Sequence, residues 1–223
     1  MLHKETVETG TLDLIKRLMA DVELKDFFMV GGTALSLLIG HRISIDIDLF
    51  TEKDFNAGSL RQHLERNYQM SDSKTIGNGI FGFIDNVKID IIAHKYPLIK
   101  PLLTIEGIRM SSLEDIGAMK LNAIAGSGNR LKDFVDIYYL LEHKPFRFLG
   151  TAYEQKYPNV NIQTAGNSLL YFEDIDHSVS VRLMNGIVNW NKISKRLHQA
   201  VYNPMKIFPS AEIVKSKRQR KKS

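Results

Sequence analysis

Hydrophobic and polar positions change period several times along the chain, and each change predicts an element. Leu12, Ile15, Leu18, Met19 and Val22 recur at helical spacing, which predicts an amphipathic helix within residues 11–26. The apolar run 27–30 reads as a short strand ending in Gly31-Gly32, and 33–39 is an apolar, helix-like segment. From Ile43 to Leu49 the pattern alternates at period two, the mark of a half-buried strand. Ile45, Ile47 and Leu49 fall on one face; Ser44, Asp46 and Asp48 fall on the other.

Further on, Asp54 or Asn56 can cap a polar-faced helix at 57–67, ahead of a Ser/Asp-rich turn at 71–73. Segments 75–84 and 87–94 flank Asp85-Asn86 and predict a hairpin whose second arm carries Asp90 between Ile89 and Ile91. Pro97 and Pro101 close this half. Ser111-Ser112-Leu113-Glu114 reads as a capping box opening a helix to about residue 125, and a second helix is expected over 130–142. Helical stretches follow at 146–156, 164–172 and 187–201. Strands crowd before residue 96 and helices after 110, so the expected fold class is α+β: a mixed sheet with helices, then a mostly helical C-terminal half. The expected division is a core at 1–105, a helical domain at 106–210 and a basic tail at 211–223.

Composition narrows the class. With 43% hydrophobic and 25% charged residues among 223, the chain is expected to be a soluble globular protein. It has no cysteine, which excludes disulfides and thiolate chemistry and suits a reducing cytoplasm. No secretory signal and no membrane span is expected. The net charge of +5 owes six positive charges to Lys215, Lys217, Arg218, Arg220, Lys221 and Lys222; without them 24 basic residues face 25 acidic ones. The basic excess belongs to the tail, either a solubilising end or an electrostatic arm for nucleic-acid phosphates.

The candidate chemistry is that of carboxylates and a divalent cation. Asp46 and Asp48, two apart on one strand, would lie roughly 7 Å apart at Cα and repel unless a cation sits between them. Hard oxygen donors in this arrangement suit Mg²⁺. Gly31 and Gly32 leave room for a phosphate at the start of the following helix, which begins near Thr33. Lys120 stands on an apolar helical row with Ile116 and Ile124, either covering a core edge or directed at phosphate charge. Asp133 and Asp136 lie one turn apart on the next helix. His41, His94 and His143 show no metal-ligand spacing, and Trp190 and the Tyr138-Tyr139 pair are expected to serve the core.

Gly-Gly, thirteen intervening residues, Asp46-x-Asp48 and then Asp90 on a second apolar strand resembles the signature of the DNA polymerase β-like nucleotidyltransferase superfamily. The string Gly-His-Arg-x-Ser-x-Asp-x-Asp-Leu at 40–49, followed by Gly117-Ala118-Met119-Lys120-Leu121 and Lys132-Asp133-Phe134-Val135-Asp136-Ile137, is similar to the AbiEii/AbiGii (MenT-like) group within it. These are toxins of toxin–antitoxin and phage-defence systems. The resemblance implies transfer of a nucleotide from a nucleoside triphosphate (NTP) to a hydroxyl, most plausibly the 3′ end of tRNA, with Mg²⁺ or Mn²⁺ as cofactor and an antitoxin encoded nearby. It implies that Asp46, Asp48 and Asp90 bind metal and that Gly31, Gly32, Thr33, Arg42 and Ser44 serve the nucleotide. Lys120 would offset charge there, and Asp136 would orient or deprotonate. Two alternatives are a transferase acting on a small molecule or protein, and a non-catalytic nucleotide-binding protein.

Overall fold

The computed structural model describes residues 1–210, so the basic run at 215–222 lies outside the described residues. Seven strands form one mixed sheet: β1 (Phe28–Met29), β2 (Ile47–Thr51), β3 (Ser71–Ile76), β4 (Gly79–Ile84), β5 (Val87–Ala93), β6 (Leu103–Ile105) and β7 (Ile108–Met110), in the order β3-β4-β5-β2-β1-β7-β6. Among the described residues the α-helices are α1 (Thr9–Ala20), α2 (Gly31–Ile39), α3 (Ala57–Tyr68), α4 (Leu113–Gly126), α5 (Leu131–Leu140), α6 (Phe146–Lys156), α7 (Ile162–Leu169) and α8 (Trp190–Tyr202). The α+β architecture is as expected, and no described helix is long and apolar enough to cross a membrane.

The centre of the sheet sets the site. β2 runs antiparallel to β1 and parallel to β5, with Ile47 opposite Ile89, Asp48 opposite Asp90 and Leu49 opposite Ile91. Ile47, Leu49, Ile89 and Ile91 are fully buried on one face, so period two places Asp48 and Asp90 side by side on the other. On that second face Asp48 shares a cleft with Ile116, Met119 and Lys120 of α4 and Asp133 of α5.

Several boundaries moved. β2 begins at Ile47, not Ile43, and Ile45 is 51% exposed instead of facing the core. The backbone of 43–46 is satisfied elsewhere: Ile43 donates to the Arg182 carbonyl at 2.8 Å, Ser44 donates to that of Thr6 at 3.0 Å, and the Thr33 hydroxyl donates to that of Asp46. The first hairpin arm is two strands, because Gly77, left-handed at φ 55°, turns the chain between β3 and β4; the expected turn at 71–73 is inside β3. Asp85 and Asn86, both at positive φ, make the predicted turn between β4 and β5. The position at 105–106 falls in the β6–β7 hairpin, and β7 pairs with β1.

Two polar hubs, one fully buried around Asp115 and one partly buried around Arg109, tie elements together. Ser112, not Ser111, caps α4, exchanging hydrogen bonds with Asp115 at 3.0 and 2.7 Å. Asp115 is selected because it also accepts from the backbones of Ile99 and Lys100 and from Lys156 Nζ at 2.9 Å. Trp190 packs edge-on against Phe172 and Phe134 beside the core, the structural role expected of it. Arg109 on β7 donates to the carbonyls of Phe27, Met19 and Leu24 at 2.9, 2.9 and 3.0 Å, tying α1 and its exit to the sheet. Arg109→Ala strands these acceptors and is expected to lower unfolding free energy by roughly 2–4 kcal/mol, read as a lower urea midpoint with unchanged slope.

Candidate active site

The site begins where β1 delivers the chain into α2. Gly31 is left-handed, at φ 69°, and opens the helix; Val30 stands at the N-cap and no side chain caps the first turn. A Cβ on Gly31 would collide with Asp48 Oδ2, and one on Gly32 with Arg42 Nη2. The glycine pair therefore makes room first for the site's own side chains. Thr33 and Ser44 are buried and joined by a 2.8 Å hydroxyl–hydroxyl hydrogen bond, which fastens the start of α2 to the approach to β2.

Asp48 and Asp90 lie opposite one another on neighbouring parallel strands, and Asp46 stands just before β2. All three line one cavity of about 390 Å³, with Lys88, Arg130 and Lys132 around it. Burial, the Asp90 charge beside it and the Asp46 charge raise the Asp48 carboxyl to about 6, against the opposing pull of Lys120. Asp90 Oδ2 accepts from Lys88 Nζ at 2.6 Å, whereas its Oδ1 is buried without a partner. No three His, Cys, Asp or Glu side chains among the described residues already stand in a metal-holding group. The donor set fits the sharing of Mg²⁺, which takes one or two carboxylates and completes its shell with phosphate oxygens and water. It does not fit a closed protein cage.

Behind the carboxylates lies a buried ion cluster that local sequence does not display. Asp136 on α5 is fully buried and receives Arg42 through Nε at 2.7 Å and Nη2 at 3.1 Å, His41 Nε2 at 2.8 Å and Lys120 Nζ at 2.7 Å. Lys120, 5% exposed, also meets Asp133 Oδ1 at 2.5 Å, and Asp133 Oδ2 lies 3.3 Å from Arg130 Nε. Burial alone would raise the Asp136 carboxyl; Arg42 and Lys120 overcome it and hold the group well below the usual carboxylate range. Burial likewise opposes the charge on Lys120, but Asp136 and Asp133 raise its pKa. Burial lowers the pKa of His41 despite Asp136. Because an ionised Asp136 can only accept, His41 Nε2 carries the hydrogen and Nδ1 is its bare, buried nitrogen.

The predicted residues thus separate by depth. Asp46, Asp48 and Asp90 share a cavity; Gly31, Asp48 and Lys120 line an adjoining cleft of about 230 Å³, which Asp133 also reaches. Arg42, Thr33, Ser44 and Asp136 stand behind them, buried. His41 and Lys88 were not among the predicted site residues, and Asp133 stood only as the alternative to Asp136 as the helix carboxylate of the site. The available signals were adjacency of His41 to Arg42, and the i−2 position of Lys88 on the strand face that carries Asp90.

Solved structures share this mixed-sheet fold. A putative nucleotidyltransferase from H. pylori aligns over 87% of this chain and 94% of its own, with TM-score 0.52 and 19% identity. JHP933 from Helicobacter pylori aligns over 96% and 98%, with TM-score 0.52 and 18% identity. In sequence, residues 13–199 match the family described as "Nucleotidyl transferase AbiEii toxin, Type IV TA system". The chain belongs to that family; it is a nucleotidyltransferase of the toxin class, and membership implies an antitoxin partner. It is also 32% identical over 160 residues to the uncharacterized protein aq_aa25 of Aquifex aeolicus (strain VF5), covering 69% of this chain and 77% of that protein.

Because folding raises the Asp48 pKa to about 6, its ionised form weakens the fold above that pH, and the penalty fades as pH falls and the group protonates. Asp48→Asn is expected to stabilise the protein on the order of 1–2 kcal/mol at about pH 8 without divalent cations. Thermal midpoints at about pH 8 and pH 5 check this: the gain should shrink at the lower pH.

Proposed function

We propose that this protein transfers a nucleoside monophosphate from an NTP to a hydroxyl acceptor on RNA, the tRNA 3′ end, in a cytoplasmic toxin–antitoxin and phage-defence setting. The observation that carries the reading is the single cavity where Asp46, Asp48 and Asp90 converge, adjoining the cleft reached by Lys120 and the uncapped start of α2. Asp46 and Asp48 would hold Mg²⁺ or Mn²⁺, with Asp90 contributing one oxygen. A bound ion would supply positive charge to the phosphate oxygens. The uncapped N–H groups at the start of α2, where Gly31 lines the cleft, would bind the phosphates. Lys120, fixed by Asp133 and Asp136, balances charge developing toward pyrophosphate.

In the reaction the acceptor oxygen bonds to the α-phosphorus while the bond to the α,β-bridging oxygen breaks, and pyrophosphate leaves with that electron pair. The hydroxyl proton passes to Asp90, whose Oδ1 is the unpartnered oxygen. Arg42, Ser44 and Asp136 act one layer back by fixing the geometry. Lys88, Arg130 and Lys132 rim the carboxylate cavity with positive charge, which suits an acceptor carrying phosphates.

Incubation of the protein with Mg²⁺, each α-³²P-labelled NTP in turn and total RNA or protein extract tests the reading. Label is expected in RNA, and Asp48→Ala should reduce it by about 10²- to 10³-fold. Label in protein would overturn the acceptor and keep the chemistry; Asp48-independent labelling would overturn both.

A further inference from the structure

Beyond Lys120 the 230 Å³ cleft changes character. Phe50 lies two residues after Asp48 on β2 and so faces the same side of the sheet. His94 stacks on Phe50, with ring centroids 4.9 Å apart and planes inclined by 30°. Tyr157 closes the corner edge-on, its hydroxyl 3.3 Å from His94 Nε2. Met119 and Asn122, on successive turns of α4, line the cleft as well. Burial, with the Lys156 charge nearby, depresses the His94 pKa to about 4, so the ring is neutral near pH 7 and adds flat π surface without charge.

The cleft is thus charged at one end, by Asp48, Lys120 and Asp133, and flat, apolar and aromatic at the other. Its volume is below the roughly 300–1,000 Å³ of pockets that enclose whole drug-sized ligands. That suits part of a ligand whose remainder lies outside. We propose that the aromatic end is the nucleobase slot, in which the base packs against Phe50, His94 and Tyr157 while the Asn122 amide reads its edge. This rests on the nucleotidyltransferase reading and adds to it the residues that choose the nucleotide. A neutral amide offers both donor and acceptor, the pairing that an exocyclic group and neighbouring ring nitrogen require.

Calorimetric titration of the full chain in Mg²⁺ with ATP, GTP, CTP, UTP and inorganic tripolyphosphate separates base from phosphate. At least one NTP is expected to bind tenfold or more tightly than tripolyphosphate, since stacking on an aromatic side chain is worth about 1–3 kcal/mol. His94→Ala should weaken that NTP about tenfold and leave tripolyphosphate unchanged, which also shows that the variant is folded. Asn122→Ala should narrow the spread among the four NTPs. Equal affinity for NTPs and tripolyphosphate, variants that leave NTP binding unchanged, or variants that lose both ligands together would each overturn the slot. Binding of no NTP and no tripolyphosphate to the unaltered protein would overturn the nucleotidyltransferase reading itself.

Discussion

The bidentate contact between Arg42 and the fully buried Asp136 is the constraint on which the site depends. It joins the approach to β2 to α5 across 94 residues of chain, and Lys120 and His41 converge on the same carboxylate. Two cations and two carboxylates, with a neutral histidine, make the cluster nearly balanced. Removing one member of a buried pair typically costs about 3–5 kcal/mol, whereas replacing a whole pair with apolar groups is often neutral. The cluster is thus better explained by placement than by stability. It holds an ammonium group beside Asp48 that would otherwise retreat to water.

Packing around the glycines follows from that constraint. Arg42 passes so close to Gly32, and Asp48 so close to Gly31, that neither position tolerates a Cβ without displacement. The same two glycines start α2 without a side-chain cap. One pair of residues therefore sets both the close packing of Asp48 and Arg42 and the open start of α2, and Thr33–Ser44 locks the arrangement from below.

Much of this was legible in the chain, for identifiable reasons. Asp48 and Asp90 stand out because a carboxylate between buried aliphatic residues on a central strand is chemically odd, and the register brings the two together. Asn56 announced its helix, and its side chain accepts from the Ser59 amide at 2.9 Å. Ile45 misled because alternation records which side chains could face inward, not where the backbone finds its hydrogen bonds; here Thr6 and Arg182 supply partners for 43–44. The choice between Ser111 and Ser112 as cap turned on Asp115 and its partner Lys156, 41 residues away. Asp136 was legible as a candidate, but its saturation by His41, Arg42 and Lys120 was not, since no local period reports contacts at that separation.

The strand-like bridge between Arg42 and Leu183, with Met184 donating to the His41 carbonyl at 3.0 Å, gives the order of synthesis a meaning. On a ribosome the carboxylates of β2 and β5 are made early. Lys120 follows, Asp136 later, and the segment that braces Arg42 later still. A nascent chain halted in the middle carries the acidic pair without its counter-charge or its brace.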